Sequence, residues 1–257
     1  LTVLDDAHAK MAASPDAEAA RLSFYARLAE VELVLLLEHE AAGDVAVPKV
    51  FPLEAGPAVL AFDSEDRLAA FAGAVPYLAL PGRRLATMLD GQGLSLGLNL
   101  GVAPSAILLP SEAVTWLAET VGVRPTQDEA SIREISSPAG LPEALVKAID
   151  GKLARAGGLA SAAYLASVTY VGGAKSHVLA IIDATDGADV SLALEISEAL
   201  QFSGLDAGQL DVMFVRSADP VVARLAKVGL QFELPQPPQK RDLTAPGSDP
   251  TSPPKLR

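Results

Sequence analysis

The sequence predicts an α+β fold: two mixed α/β domains, each a small sheet with helices packed against it. Two observations carry this. First, four times an apolar run ends in Asp or Ser and passes straight into an amphipathic segment: AVLAFDSEDRLAAFA (58–72), SAILLPSEAVTWLAE (105–119), VLAIIDATDGADVSLALEISEAL (178–200) and DVMFVRSADPVVARLAKVG (211–229). A short apolar run is a candidate buried strand, and the small polar residue after it can accept a hydrogen bond from the unpaired N–H groups of a helix's first turn. Second, residues 122–141 hold Pro125, Pro138, Gly140 and several charges but little that could be buried, so they read as a connection between two units, with 130–135 as a candidate strand inside it.

Taken in order, residues 16–29 predict a helix, with Ser14-Pro15 as cap and first-turn proline. Residues 31–38 (VELVLLLE) predict a strand, and 50–53 with 58–62 predict a hairpin around Glu54-Ala55-Gly56-Pro57. A short helix over 64–73 carries Glu65 and Asp66 in its positive first turn. A strand at 77–80 and a helix over 82–89 follow. Residues 94–100 alternate with period two and pair with 106–109, ahead of a helix over 111–121. Beyond the connection come a helix (142–155), a hairpin (160–171 with 176–183), a helix (188–202), a strand (211–216), a helix (220–228) capped by Asp219, and a short strand (230–234). The expected domains are 15–122 and 141–234 (αββαβα), joined by a linker at 123–140. Residues 235–257 hold seven of the 19 prolines and almost nothing apolar, so they predict a disordered tail.

Half the residues are hydrophobic but only 5% are aromatic, so Ala, Leu and Val must fill the core. Net charge is −12, and because the tail has four cations against two acids, the rest of the chain carries −14. That field repels phosphate backbones and argues against nucleic acid. The absence of cysteine excludes disulfides, thiolate nucleophiles and Cys-ligated metal sites, and fits a reducing cytoplasm. Residues 91–111 and 156–174 are uncharged, but glycines, Ser, Thr and Asn interrupt them, so no membrane span is expected.

A family resemblance rests on FPLEAGPAVLAFDSEDRLAAFAG, PYLALPGRRLATML and GLSLGLNLGVAPSAILLPSEAVTWL. The strand ending in Phe62, the helix opening at Ser64, the pair Leu98-Asn99 and the entry Leu109–Glu112 resemble the N-terminal domain of the SseB (enhanced serine sensitivity) family of bacterial proteins. This chain has Asn99-Leu100 where the family usually has Asn-Pro. PEALVKAIDGKL, AAYLASVTYV and HVLAIIDATD resemble that family's C-terminal domain. The resemblance implies a cytosolic protein and no known reaction.

Several residue groups invite chemistry. Gly93-Leu94-Ser95-Leu96-Gly97 satisfies G-x-S-x-G, yet a nucleophilic serine needs a strand-to-helix elbow, and here a strand follows; His177 and Asp150 would be its partners. GQGLSLG approaches a dinucleotide fingerprint but lacks the flanking strand and helix. Glu38-His39-Glu40 lies on a strand end, where neighbours point to opposite faces and cannot converge on one ion. Asp63, Glu65, Asp66, Asp186 and Asp189 read as helix-start acids. Neither a catalytic set, a cofactor nor a metal is therefore expected. Arg83 and Arg84 open a helix, where a cation opposes the macrodipole; they are the candidate interaction residues, for an acidic partner or a carboxylate. The expected function is a non-enzymatic, cytoplasmic interaction or regulatory module with a protein partner. The alternatives are a sensor for an amino acid such as serine and a hydrolase using Ser95.

Overall fold

The computed structural model describes residues 1–43, 45–54, 56–122, 131–204 and 210–235. The tail prediction for residues 236–257 and residues 123–130 of the expected linker lie outside them. Two mixed sheets with helices on both faces form the two domains.

The chain opens with a helix absent from the sequence reading, α1 (Val3–Ala13), capped by Thr2 in a reciprocal box with Asp5. Ser14 closes this helix instead of opening the next one. α2 (Glu18–Glu30) starts at Ala17 without a side-chain cap. The first sheet is built from β1 (Glu32–Leu36), β2 (Val50–Leu53), β3 (Gly56–Phe62), β4 (Tyr77–Pro81), β5 (Ser95–Leu98) and β6 (Ile107–Leu109). Its order is β4-β1-β3-β5-β6, and β2 shares the β1 edge of β3. β3 and β5 run parallel, with Ala58 opposite Ser95, and the other pairs are antiparallel.

Alternation along these strands assigns the two faces. Leu33, Leu35, Val59, Ala61, Leu96 and Leu98 point to one side. They meet Leu4 of α1, Phe24 and Leu28 of α2, Leu85 and Leu89 of α4 (Gly82–Leu89), and Val114 and Leu117 of α5 (Ser111–Gly122). Val34, Leu36, Leu60 and Phe62 point to the other, against Leu68 of α3 (Glu65–Ala72), which Ser64 caps as predicted.

The second sheet contains β7 (Ile132–Ser136), β8 (Ala162–Tyr170), β9 (Lys175–Ile182), β10 (Leu210–Val215) and β11 (Leu230–Phe232). β7 falls inside the segment expected to be linker; it and β11 pair antiparallel with opposite halves of β8. β8 and β9 form the expected hairpin, and β9 lies parallel to β10. α6 (Glu143–Arg155) and α7 (Ala188–Gln201) cover one face through Leu145, Ile149, Leu192 and Ile196, and α8 (Pro220–Val228) covers the other through Leu225. Asp219 caps α8, but the cap of α7 is Gly187 in the left-handed region, so Asp183 is free for another role.

Both domains hold a parallel strand pair whose end is tied by an Asn or Asp in the left-handed region. Asn99 (φ 49°) follows β5, and its Oδ1 accepts from Asp63 N–H at 3.0 Å, just past β3. Asp183 (φ 49°) follows β9, and its Oδ1 accepts from Ser217 N–H at 2.8 Å, just past β10. Residues with short polar side chains tolerate this backbone region better than others.

Candidate functional site

The domains meet along two kinds of surface. One is aromatic: Tyr25 of α2, Trp116 of α5 and Phe202 just after α7 form an edge-to-face chain with centroids 5.1 and 6.1 Å apart. Such contacts add about 0.5–1.5 kcal/mol per pair beyond burial. The other is ionic, and Gly82 sets its geometry. A Cβ there would lie 1.8 Å from the Leu28 carbonyl oxygen, so only glycine lets α4 start against the end of α2. Gly82 N–H donates to Val31 O at 2.9 Å. This fixes Arg83, at the start of α4, beside the end of α2 that carries Glu30.

From the second domain, α6 supplies Lys152 and Arg155, and α7 supplies Glu195 and Glu198 one turn apart. Lys152 Nζ lies 3.0 Å from Glu30, 2.7 Å from Glu195 and 3.0 Å from Glu198. Arg83 meets Glu195 at 3.3 Å and Glu198 at 3.0 Å, while Arg155 donates through both Nη atoms to Glu30, at 3.3 and 2.8 Å. Lys152 and Glu198 are only 8% and 7% exposed, a depth at which an unpaired charge would be costly. Burial alone would lower the Lys152 pKa, but bonding to Glu195 and the charge of Glu198 outweigh it and hold it above the ordinary lysine value. Burial likewise pushes Glu30 and Glu195 up. The Arg155 and Lys152 contacts to Glu30, and the Lys152 contacts to Glu195, reverse this and leave both below the usual glutamate range.

Beside this cluster is an open groove of about 400 Å³, walled by Leu153, Ala156, Leu159, Leu192 and Ile196. A smaller cavity of about 210 Å³ lies at the start of α7, between Asp186, Asp189, Phe214 and Arg216.

A second polar cluster lies wholly in the first domain. Asp5, 2% exposed, accepts from both Arg67 and the Ser105 hydroxyl, and from Thr2 N–H at 2.9 Å. Arg67 also donates to Asp63 at 2.7 Å, and Asn99 Nδ2 donates to Ser105 at 2.9 Å. Burial pushes the Asp5 carboxyl up; the bonds from Arg67, Ser105 and Thr2 outweigh that and hold it well below the usual carboxylate range. Every carboxylate and hydroxyl here is turned to a neighbour within the chain, so the arrangement fastens α1 to the β3–α3 junction. Asp63 is therefore an ion-pair partner and not merely a helix-start acid.

Of the candidate interaction residues, Arg83 is turned onto the second domain, whereas Arg84 is exposed and has no ion pair among the described residues. The carboxylates facing Arg83 explain how a cation sits at a helix start: they offset the macrodipole there. Ser95 lies within β5, 8% exposed, and not on a strand-to-helix elbow, while His177 belongs to β9 of the other sheet. Glu30, Lys152, Arg155, Glu195 and Glu198 escape the sequence reading, since each sits at an ordinary position of an amphipathic helix. Among the described residues no group of His, Asp and Glu is arranged to hold a metal ion.

Residues 4–116, which run from α1 into α5, match a family model, SseB protein N-terminal domain. This segment is similar to the SseB N-terminal domain. The SseB match covers α1, which the resemblance drawn from sequence did not reach, and stops at Trp116, before the second domain begins. No curated protein and no solved structure matches the chain. The SseB-like domain thus supplies Arg83, Glu30 and the aromatic contact of Trp116, and the second domain supplies the rest of the ionic cluster.

Proposed function

We propose that this protein acts by binding rather than by catalysis, as a cytoplasmic interaction or regulatory module whose partner is another protein, and that its second domain is an SseB C-terminal-like domain. The observation that carries the binding reading is the groove between the domains. Its apolar lining reaches solvent at Leu159, which is 38% exposed. Val190 and Leu194, 65% and 36% exposed and four apart on α7, form an exposed apolar pair that borders the groove across Ser191. No described helix is long and apolar enough to cross a membrane.

A photo-cross-linking side chain placed at Leu194 is expected to give a discrete protein adduct in cells. The same group at Val171, more exposed still at the tip of the β8–β9 hairpin, is expected to give none. An absent adduct at Leu194, or the same adduct from Val171, overturns the reading.

A second reading is favoured by the presence of cations and carboxylates in one groove: an amino acid such as serine, with both a carboxylate and an ammonium. Saturating a native-state site at one hundred times Kd stabilises by about 2.7 kcal/mol. Because serine has no apolar side chain to set against Leu153, Leu159 and Leu192, we expect millimolar serine to leave the melting temperature unchanged. A saturable rise would promote this reading over the first.

A further inference from the structure

We propose that the groove captures the free C-terminal carboxylate of a protein partner whose last residue is apolar. This rests on the binding reading above and names the chemistry that the site recognises.

The argument starts from charge. Arg27 joins the cluster at its rim, 3.1 Å from Glu30. Four cations, Arg27, Arg83, Lys152 and Arg155, then face three carboxylates, Glu30, Glu195 and Glu198. The imbalance is local. Glu195 and Glu198 both serve Arg83 and Lys152, whereas Glu30 is the carboxylate in direct ion-pair contact with Arg27, Arg155 and Lys152, and Arg155 also lies within the field of Glu195. Arg27 and Arg155 have side chains 52% and 54% exposed, so their outer N–H groups face solvent beside one shared carboxylate. A second carboxylate at this rim would complete the set. The rest of the chain is strongly acidic, which makes this pocket of positive excess the favoured landing point for an anion.

The apolar wall selects which anion. Leu153, Leu159 and Leu192 line the same groove as Arg155, so a matching ligand must place apolar carbons directly next to its carboxylate. An Asp or Glu side chain within a partner brings the charge without the apolar group. A C-terminal Leu or Val brings both on one carbon. The exposed apolar pair Val190 and Leu194 stands beside the groove, across Ser191, where residues preceding the carboxylate of a chain end could rest and a single small acid has nothing to place. Arginine suits this work because its planar fork can hold two carboxylates at different edges. Capture of a terminal carboxylate is a recurrent way of reading a peptide.

The test uses the full chain and a fluorescein-labelled peptide, Ala-Ala-Leu-Val, as the free acid and as its C-terminal amide, read by anisotropy in low salt. We expect the free acid to bind and the amide to be weaker by about tenfold or more, the scale of a charge-assisted hydrogen bond. Replacing the last residue by Ser is expected to weaken binding by a similar factor. Arg155→Gln, a half-exposed position that leaves Lys152 on Glu30, is expected to weaken the free acid and leave the amide unaffected, and Arg155→Lys to restore part of the loss. Arg216→Gln, remote from the groove, is expected to change nothing. Equal binding of acid and amide would overturn carboxylate capture while leaving a protein-binding groove in place. Binding of neither peptide, or displacement of the peptide by an equal concentration of hexanoate, would overturn the proposal, and the cross-link at Leu194 reports separately on the broader reading.

Discussion

The corner at Asn99 and the corner at Asp183 use one device in two settings. In each, a side-chain oxygen on a left-handed residue holds the N–H just beyond a parallel neighbour strand. Asn99 is fully buried, and Ser105, Asp5, Arg67 and Asp63 continue its bonds into a closed network beneath α1. Asp183 takes further bonds from the Ser161 hydroxyl, at 3.3 Å, and from the Ser217 side chain, near solvent and the small cavity at the start of α7. The second domain has no helix that corresponds to α1. The comparison teaches that the backbone geometry is inexpensive in either setting, and that the energetic weight comes from what is stacked behind it. Buried networks stabilise when complete and penalise strongly when one member is removed.

Asp5→Ala tests this most severely. It leaves Arg67 partly buried with one carboxylate fewer and Ser105 without its acceptor, and it breaks the capping box of α1. We expect a loss of about 3–5 kcal/mol in denaturant unfolding, the range for breaking a buried ion pair. Asp183→Ala is expected to cause a much smaller change. Equal effects would erase the distinction between the corners.

A smaller effect is expected at Asn99 itself. Asn99→Gly keeps the left-handed backbone but removes the bonds to Asp63 and Ser105, for a loss of about 2 kcal/mol. Asn99→Ala adds the left-handed penalty of about 1 kcal/mol. If alanine and glycine prove alike, backbone conformation is not what selects asparagine there.

Acid titration sharpens the contrast further. The Asp5 pKa is depressed on folding, so its contribution is fully present above the unfolded carboxylate value near 4 and is lost as pH falls through its folded value. Glu30 and Glu195 are depressed as well and act in the same direction. Measured between pH 7 and pH 2, Asp5→Asn is expected to flatten the acid limb of the stability curve without removing it. An unchanged limb would show that Asp5 is protonated in both states, or in neither.

The strands and most helices were legible because apolar runs and caps are local signals, and Ser64 and Asp219 cap where such signals place them. α1 had a readable signal too, the Thr2–Asp5 capping box, but the Ser14-Pro15 pair suggests a helix start and competes with it. β7 is short, charged and half exposed, so 130–135 reads as a strand only alongside the linker reading, and its place in the sheet shows once Thr169 and Val168 are seen to pair with it. The ionic cluster was beyond reach for a different reason. Arg83 finds its carboxylates 112 and 115 positions along the chain, across a domain boundary, and no local pattern carries that distance. The sequence marks Arg83 as locally unfavourable, which is the shadow of a long-range contact without its address.

Phe202 sits among the buried side chains of the first domain's core, against Trp116, although it belongs to the end of α7. It follows Trp116 by 86 positions (116 to 202). At synthesis rates of about 5–20 residues per second, the first domain spends about 4–17 s complete in sequence but open on that side. During this interval Trp116 has no lid, and the nascent chain presents an aromatic face to whatever is nearby. The last turn of α7 thus acts as a delayed stopper: birth order, and not only equilibrium packing, determines when the first domain becomes inert.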